Sequence, residues 1–366
     1  MSTGPSSSLG PRSIIPVLSR FDHDQESISS LFSDLPRYRS DQIWRAIYHD
    51  STNPSEWTAL PKTLRDRVAS TLPLALIEST RTVTDDGDTE KVLWELSDGS
   101  RIETVLMLYP GRATVCVSTQ AGCAMACSFC ATGQAGFTRH LTVGEIVEQV
   151  AWARAAATAR ERRLSNIVVM GMGEPLANER ALWPAIERVH QEFELSARHI
   201  TVSTVGLVGG IDRLAEHPLP ITLAVSLHAA DDELRNQLVP INRRHSIDDL
   251  IAACDRYLTR RRRRLSFEWA MIADVNDRPI DAERLAALCH RLTPSAHVNL
   301  IPLNPTPGYP VRGSSRSTIS HFAQLLTDRG VNVTVRRNRG DEIDAACGQL
   351  AAGQPVRLGR RSETST

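Results

Sequence analysis

The spacing of apolar residues changes twice along the chain and divides it into three parts. Between residues 22 and 75, apolar side chains recur at helical intervals, as at Ile43, Trp44 and Ile47, and this spacing predicts short amphipathic helices. From about 79 to 108, β-branched segments separated by Asp-Gly turns predict strands. The sequence therefore predicts a helical N-terminal part followed by a β extension.

From 112 to 336, short apolar runs alternate with helical patterns, and one predicted helix begins with a capping box formed by Thr142 and Glu145. Strands this apolar are typical of a parallel sheet buried on both faces. The alternation predicts an α/β domain, and its six main βα units are fewer than the eight of a closed TIM barrel. The parallel sheet is either open or curled, and a curled sheet of six units would form a partial (βα)6 barrel. The candidate strands are 113–117, 166–170, 200–203, 221–226, 265–271, 298–301 and 331–335.

The overall charge is balanced, with 42 Lys and Arg residues against 42 Asp and Glu residues, and gives no reason to expect nucleic-acid binding. Arginine clusters within 260–264, 336–339 and 357–361 are either solvated faces or parts of a basic surface for phosphates. No apolar run approaches the roughly 18 residues of a membrane span. We expect a cytoplasmic protein with no membrane association.

The most specific chemical signal is a group of cysteines shortly after the first strand of the predicted α/β domain. Cys123, Cys127 and Cys130 form a CxxxCxxC pattern, and thiolates at this spacing suit zinc or an iron–sulfur cluster. A zinc site usually takes a fourth ligand, often from a second Cys or His pair, and none is evident in the sequence. Three thiolates on a cubane cluster would leave one iron open. The remaining explanation is that these are ordinary buried thiols.

Several other residues lie where predicted strands end, which is where ligands bind in parallel α/β folds. Among them, Gly173 in the segment Gly-Met-Gly-Glu-Pro allows close backbone approach, and Glu174 can accept hydrogen bonds from an ammonium group. Each position has a simpler explanation as a turn or a strand-terminal cap. The candidate cofactor-binding residues are Gly173, Glu174, Ser203, Ser226, Leu227, His228 and Asn304.

The cysteine pattern, with an aromatic residue before its last cysteine, resembles the cluster-binding loop of radical-SAM enzymes. Within that superfamily the chain resembles the RlmN/Cfr family of RNA adenosine methyltransferases over nearly its whole length beyond the N-terminal tail. The segments that carry this resemblance are 116–123, 171–175, 226–228, 299–307 and 340–350. The resemblance implies a partial barrel of the radical-SAM type. It also implies a [4Fe-4S] cluster on the three cysteines, with S-adenosylmethionine (SAM) chelated to the open iron.

The family resemblance also implies a mechanism with two SAM molecules. One methylates Cys347, and the other yields a deoxyadenosyl radical that removes hydrogen from the new S-methyl group. The resulting methylene radical adds to an adenine carbon. Cys116 then attacks the sulfur, which leaves a Cys116–Cys347 disulfide and methylated RNA. Without the resemblance, both cysteines would be interpreted as core thiols.

Glu103 matches a carboxylate that the family uses as proton acceptor, although alternation alone predicts an exposed strand residue. The sequence does not decide whether Glu103 or Cys116 is the base. Cys254 and Cys289 lie on apolar helical faces and are expected in the core.

The resemblance further implies the substrate and the partners. It favours methylation of adenosine C2 in 23S rRNA and, in some tRNAs, of the adenosine 3′ of the anticodon. An external electron donor such as flavodoxin and a monomeric state are expected. The alternatives are C8 methylation of 23S rRNA, as in the Cfr branch, a radical-SAM reaction on another substrate, such as sulfur insertion into tRNA, and a non-catalytic iron–sulfur sensor that binds RNA.

The predicted domain organisation combines these observations. We expect a disordered tail at 1–20, rich in Ser, Gly and Pro, and an RNA-binding helical domain at 21–78. A β extension at 79–111 leads into the radical-SAM core at 112–350, which includes the segment with Cys347. A basic tail at 351–366 follows.

Overall fold

The computed structural model describes residues 17–50, 53–84, 86–304 and 312–336. Cys347 and the predicted basic tail at 351–366 lie outside these residues. Within the described part of the chain, helices and strands follow one another in the order that the apolar spacing predicts.

Three α-helices precede the sheet, and the second is the amphipathic helix predicted from its apolar spacing, with Ile43 and Ile47 buried. The predicted N-terminal tail extends too far, because Ser19 and Arg20 are buried. Ser19 caps a short 3-10 turn, and the Arg20 guanidinium donates to the carbonyl of Leu72 at 3.1 Å. The helices are α1 (Gln25–Leu31), α2 (Arg37–His49) and α3 (Lys62–Thr71).

Twelve strands lie within the described residues, and ten of them form one sheet. They are β1 (Ile77–Val83), β2 (Thr89–Glu95), β3 (Arg101–Tyr109), β4 (Arg112–Cys116), β5 (Gln120–Gly122), β6 (Phe137–His140), β7 (Arg163–Val169), β8 (Ile200–Thr204), β9 (Thr222–Ser226), β10 (Leu265–Met271), β11 (His297–Pro302) and β12 (Val333–Val335). The remaining helices are α4 (Ala131–Ala135), α5 (Val143–Thr158), α6 (Glu179–Glu192), α7 (Val208–Glu216), α8 (Asp232–Leu238), α9 (Ile247–Arg261), α10 (Pro279–His290) and α11 (Arg316–Asp328).

The strand order in the large sheet is β1-β2-β3-β4-β7-β8-β9-β10-β11-β12. Strands β1 to β4 pair antiparallel, whereas β4 and the strands that follow it in the sheet pair parallel in chain order. Each parallel connection contains at least one helix. This arrangement confirms the predicted α/β class with six βα units. The small hairpin β5–β6, which the sequence did not predict, pairs separately.

The sheet curls into an open barrel. Arg336, directly after β12, approaches the sulfur of Met170, directly after β7, at 3.9 Å, although four strands lie between β7 and β12 in the sheet. No pairing joins β1 to β12 in the described residues, so the barrel stays open there. The described helices include none with the length and apolar character needed to cross a membrane.

A buried carboxylate on α5 fastens the N-terminal segment to the barrel. Glu148 accepts hydrogen bonds from the Ser19 hydroxyl at 2.6 Å and from the amides of Ala75 and Leu76 at 2.9 Å each. Burial raises the pKa of Glu148, while these donors and the nearby Arg20 charge favour its ionised form. Glu148 therefore holds both the segment that precedes α1 and the residues that lead into β1.

Replacing Glu148 with Ala should lower the free energy of unfolding by about 3 kcal/mol, because three buried donors lose their acceptor. Chemical denaturation at pH 7 measures this loss. The matched control is Glu283→Ala on the exposed face of α10, which should change stability by no more than about 0.5 kcal/mol. Equal losses for the two variants would contradict the anchoring role of Glu148.

Candidate active site

The three clustered cysteines lie in a loop between the small hairpin strands. Gly122 has a φ of +77°, and a side chain there would collide with the carbonyl of Gly136, so this position requires glycine. The Cys123 amide donates to the same carbonyl at 2.8 Å. The hairpin therefore fixes the direction in which the cysteine loop leaves the sheet.

The sulfur-bearing side chains of Cys123, Cys127 and Cys130 line one cavity at the carboxyl ends of the parallel strands. Burial raises the pKa of Cys123 to about 12 and the pKa of Cys127 well above its usual value. Without a bound cation these groups would be neutral thiols at pH 7, whereas metal binding requires thiolates. Among the described residues, no three such side chains converge on a single ion. A cubane cluster instead offers each thiolate an iron of its own.

The Gly-Met-Gly-Glu-Pro segment forms the next wall of this cavity. Gly173 has a φ of +102°, and a side chain there would lie 2.6 Å from Gln120. Both oxygens of Glu174 already accept backbone hydrogen bonds, from Leu176 at 3.1 Å and from Val205 at 2.9 Å. Burial raises the pKa of Glu174 to about 7. A ligand ammonium group beside this carboxylate would favour its ionised form.

The structure separates the other predicted cofactor residues into two groups. Ser203, Ser226 and His228 line the same cavity as the cysteines, and the two serine hydroxyls lie 3.5 Å apart. Leu227 is fully buried and does not line the cavity. Asn304 is also buried and outside the lining. Alternation along the strand explains the difference between Leu227 and its neighbours.

His228 is held as a neutral ring. Its Nδ1 accepts the Ala270 amide at 3.0 Å, so the ring hydrogen lies on Nε2. Its ring packs edge-on against Phe129 of the cysteine loop, with centroids 4.6 Å apart. Burial lowers the pKa of His228 to about 3, and the charge of Arg235 acts in the same direction. His228 can therefore donate one hydrogen bond to a ligand at neutral pH.

Arg235, which no sequence pattern singled out, is a buried residue that connects two strand ends. Its guanidinium donates to the carbonyls of Val205 at 2.7 Å, Ser226 at 3.2 Å and Leu227 at 3.1 Å. Burial lowers the pKa of Arg235 to about 10, so it keeps its charge at neutral pH. No local pattern distinguishes this arginine from the many exposed ones.

The lumen of the barrel carries a polar network that adjoins the same cavity. Glu268 Oε1 accepts from Ser266 at 2.9 Å and from Asn299 at 2.8 Å, and Glu268 Oε2 lies 3.6 Å from Arg336. Glu268 and Arg336 line the cavity that the cysteines share. The sequence did contain a signal for this network. Ser266 and Glu268 alternate with apolar residues in a strand that was predicted to be apolar on both faces.

Cys116 and Glu103 lie on the neighbouring strands β4 and β3, beside the cavity and not in its lining. The Ser118 hydroxyl donates to the carbonyl of Glu103 at 2.6 Å and accepts the Met172 amide at 2.9 Å. The Ser118 hydroxyl thus connects the backbone of Glu103 to the backbone of the glycine-rich segment. Gln149 on α5, also missed in the sequence, binds both the amide and the carbonyl of Ser118, at 2.8 and 3.0 Å.

The expectation that Glu103 is exposed was wrong. Only 5% of Glu103 is accessible, because β3 lies inside the sheet and the side chain faces Lys91 on β2. None of the described cysteines forms a disulfide with another. The predicted disulfide partner of Cys116, Cys347, lies outside the described residues, so that disulfide has no support here and stays a prediction. Cys254 and Cys289 are fully buried, as expected.

Replacing Cys127 with Ala should abolish stable iron–sulfur loading, since one of three thiolate ligands is lost. Iron and sulfide content and the visible absorption of the cluster after anaerobic reconstitution measure the loading. The control is Cys254→Ala in the buried core, which should keep wild-type iron content. Wild-type iron content in the Cys127 variant would contradict this assignment.

The buried neutral His228 should make stability depend on pH. Its folded pKa of about 3 lies below the unfolded value of about 6.5, so its contribution is complete above pH 7 and is lost as the pH falls. Replacing His228 with Gln should therefore reduce the loss of unfolding free energy between pH 7 and pH 5 by about 2 kcal/mol. Denaturant unfolding at the two pH values tests this, with the exposed His321→Gln as control. An unchanged pH dependence would show that His228 is protonated in the fold.

The comparisons with known proteins agree with this geometry. A profile described as the Radical SAM superfamily matches residues 117–285. The chain is 48% identical over 353 residues to a probable dual-specificity RNA methyltransferase RlmN of Chloroflexus aurantiacus, covering 92% of this chain and 94% of that protein. A protein of the same name from Corynebacterium diphtheriae is 50% identical over 325 residues, covering 87% of this chain and 88% of that one.

A solved structure gives the same result for the fold. The crystal structure of a radical SAM methyltransferase from Sphaerobacter thermophilus matches with a TM-score of 0.88 and 49% identity, covering 92% of this chain and 100% of that one. The predicted resemblance is thus confirmed at the level of sequence and of three-dimensional structure. The chain belongs to the RlmN family of radical SAM methyltransferases.

Proposed function

We propose that this protein methylates C2 of adenosine in RNA, in 23S rRNA and in tRNA 3′ of the anticodon. The observation that carries the proposal is the meeting of three clustered thiols with a glycine-rich segment and strand-end polar groups in one cavity, beside Cys116 and Glu103. Similarity to proteins named probable dual-specificity RNA methyltransferase supports the same substrate class.

The chain's cofactors are a [4Fe-4S] cluster and SAM, as membership of the radical SAM superfamily implies. When bound, they supply the one-electron chemistry needed at adenine C2, which is too poor a nucleophile to attack a methyl group directly. Cys123, Cys127 and Cys130 would hold the cluster. Glu174 and the backbone around Gly173 would orient the ammonium group of SAM.

The remaining residues of the cavity would position the rest of SAM and exclude water. The hydroxyls of Ser203 and Ser226 and the Nε2–H of His228 are the polar groups available for its hydroxyls and ring nitrogens. Leu227 and Asn304 lie behind the lining, so we propose that they act through their backbone or through neighbouring residues.

The transfer itself requires residues next to the cavity. We assign Cys347 as the residue that carries the methyl group, Cys116 as the thiol that resolves the protein–RNA adduct, and Glu103 as a candidate proton acceptor. Resolution by Cys116 forms one S–S bond and breaks one S–C bond, and the disulfide is afterwards reduced by an external thiol. An electron donor such as flavodoxin and a monomeric enzyme belong to the same proposal.

The N-terminal helices supply a candidate RNA-binding surface, in line with the predicted domain at 21–78. Tyr38 on α2 is 54% exposed, and the guanidinium of Arg39 lies 5.0 Å from the centre of its ring. An exposed aromatic ring beside arginines can stack on an unpaired base while the cations meet phosphates. This surface lies in the helical part of the chain and not in the barrel.

Replacing Cys347 with Ala should abolish RNA methylation while iron content and reductive cleavage of SAM stay detectable, because only the methyl carrier is lost. Mass spectrometry of the product nucleosides measures methylation and also separates C2 from C8. The control is Cys289→Ala, a buried core thiol, which should methylate RNA at a rate within about twofold of the wild type. Methylation by the Cys347 variant at the wild-type rate would reject the mechanism.

The same assay decides between the proposed function and its alternatives. A product methylated at adenosine C8 would show that the protein catalyses the reaction of the Cfr branch. Cluster loading and RNA binding without any methylated product from the wild-type protein would favour the non-catalytic sensor.

A further inference from the structure

Positive charge is concentrated at the amino end of the barrel, although the chain as a whole carries no net charge. The seven segments that lead into the parallel strands β4 and β7 to β12 contain ten arginines and two carboxylate residues. The four segments that follow β7 to β10, at the active-site end, contain one arginine and four carboxylate residues. The leading segments are 110–112, 159–163, 193–200, 217–222, 262–265, 291–297 and 329–333, and the following segments are 170–178, 205–207, 227–231 and 272–278.

Some of these arginines have a role within the fold. Six of the described helices end at the same end of the barrel, and the carbonyls of a last helical turn attract cations. Arg160 and Arg329 each donate to such a carbonyl at 3.0 Å, and Arg291 pairs with Asp248 at 2.7 Å. Helix capping and ion pairing therefore explain these arginines without any ligand.

Four other arginines at this end have no such role. In the part of the chain that the structure describes, four exposed side chains form neither a hydrogen bond nor an ion pair, and these are Arg163, Arg198, Arg262 and Arg264. Arg163 is also opposite Arg112 in the register of β4 and β7. Like charges on neighbouring strands repel each other, so this end of the sheet carries charge that the described residues do not neutralise.

The four arginines lie at the entries of neighbouring strands. The Arg263 guanidinium donates to the carbonyl of Arg198 and to the hydroxyl of Thr222, at 3.1 Å each. It therefore holds the segments before β8, β9 and β10 together. Three strand spacings of about 4.8 Å separate β7 from β10, so the surface is up to about 14 Å wide. That width is comparable with several consecutive phosphates of one RNA strand.

The N-terminal helices reach the same end of the molecule. The Trp44 indole of α2 donates to Glu192 in the last turn of α6 at 3.1 Å. The ring of Tyr48 packs against Phe193, with centroids 5.6 Å apart, and Phe193 begins the segment that contains Arg198. Helix α2, which carries the candidate RNA-binding surface, therefore packs beside the amino end of the barrel.

We propose that Arg163, Arg198, Arg262 and Arg264 form a surface that binds the phosphate backbone of the substrate RNA outside the target nucleotide. The inference rests on the proposed function. Guanidinium groups bind phosphates through paired hydrogen bonds, which matches the chemistry of these four side chains. The four segments at the active-site end carry more carboxylates than arginines, so they do not supply this attraction.

The length of the barrel determines which phosphates this surface contacts. The seven residues of β10 rise about 23 Å along the strand from the amino end to the cavity. A nucleotide whose base enters the cavity cannot place its own phosphate that far away, so the surface contacts a more distant part of a folded RNA. An acidic electron donor fits less well, because it must approach the three cysteines at the opposite end.

The test compares a large RNA with a small one. The triple variant Arg163→Gln, Arg198→Gln and Arg262→Gln should bind full-length 23S rRNA at least tenfold more weakly at about 0.15 M salt. It should bind a short hairpin around the target adenosine within about twofold of the wild type. For 23S rRNA, the slope of log affinity against log salt should become less steep by about 2 to 3, because three phosphate contacts are lost. The KM for 23S rRNA should rise by a similar factor, with kcat unchanged.

The matched control removes three exposed arginines of the outer helices that pair with carboxylates, by Arg213→Gln, Arg256→Gln and Arg284→Gln. This triple variant lowers the net charge by the same amount and should bind both RNAs within about twofold of the wild type.

Two further measurements separate loss of charge from structural damage. Lysine at the three amino-end positions should recover most of the affinity for 23S rRNA, because an ammonium group also binds phosphate. Iron content shows whether each variant is folded. If the amino-end glutamine triple loses its iron, Arg198→Gln and Arg262→Gln are measured singly, and each should weaken binding of 23S rRNA about threefold.

Three results would overturn the inference. The first is an unchanged affinity for 23S rRNA in the amino-end glutamine variants. The second is an equal loss of affinity for the rRNA and for the hairpin, which would reflect the total charge alone. The third is normal RNA affinity combined with slower reduction of the cluster by flavodoxin, which would make the surface a docking site for an acidic protein.

The two proposals fail in different ways, because RNA binding is measured without methylation. A wild-type enzyme that yields no methylated RNA, combined with the expected difference between the two glutamine triples, refutes the proposed function alone. A wild-type enzyme that methylates RNA normally, combined with equal affinity for 23S rRNA in all variants, refutes the amino-end surface alone.

Discussion

Hydrogen bonding between neighbouring strands is the constraint on which the rest of this structure depends. It fixes the register of the ten-stranded sheet, and register assigns every side chain to a row and to a face. Cys116 stands opposite both Val105 and Val168 for this reason alone. A shift of one residue in β3 would turn Glu103 from the concave face to the convex one. The chemistry at the mouth of the barrel therefore depends on backbone pairing some distance below it.

Buried polar side chains then fix the position of the backbone around the candidate active site. Gln149 holds both backbone groups of Ser118, and Arg235 collects three carbonyls at the ends of β8 and β9. Neither residue lines the cysteine cavity, yet each satisfies backbone groups that would otherwise be buried without partners. Satisfied networks of this kind are rigid, and rigidity at strand ends is what a radical reaction needs to direct a reactive group at one atom.

Charge in the site is controlled by burial. Burial raises the pKa of Cys123 and Glu174 and lowers the pKa of His228, so the site without its cofactors favours neutral groups. Under the proposed function, the compensating charges would come from a ligand ammonium group and from the iron ions. The protein and its bound cofactors would then stabilise each other electrostatically. Arg235 keeps its charge at neutral pH and lies behind the lining.

The sequence by itself determined the α/β class, the six βα units and the cysteine loop, because apolar periodicity and ligand spacing are local properties of the chain. It did not determine that Glu103 is buried, that Leu227 lies behind the cavity lining, or that Arg235 binds backbone carbonyls at two strand ends. Those facts depend on register, on the curl of the sheet and on contacts between residues distant in the chain. Such contacts form only when the strands pair, so no local pattern encodes them.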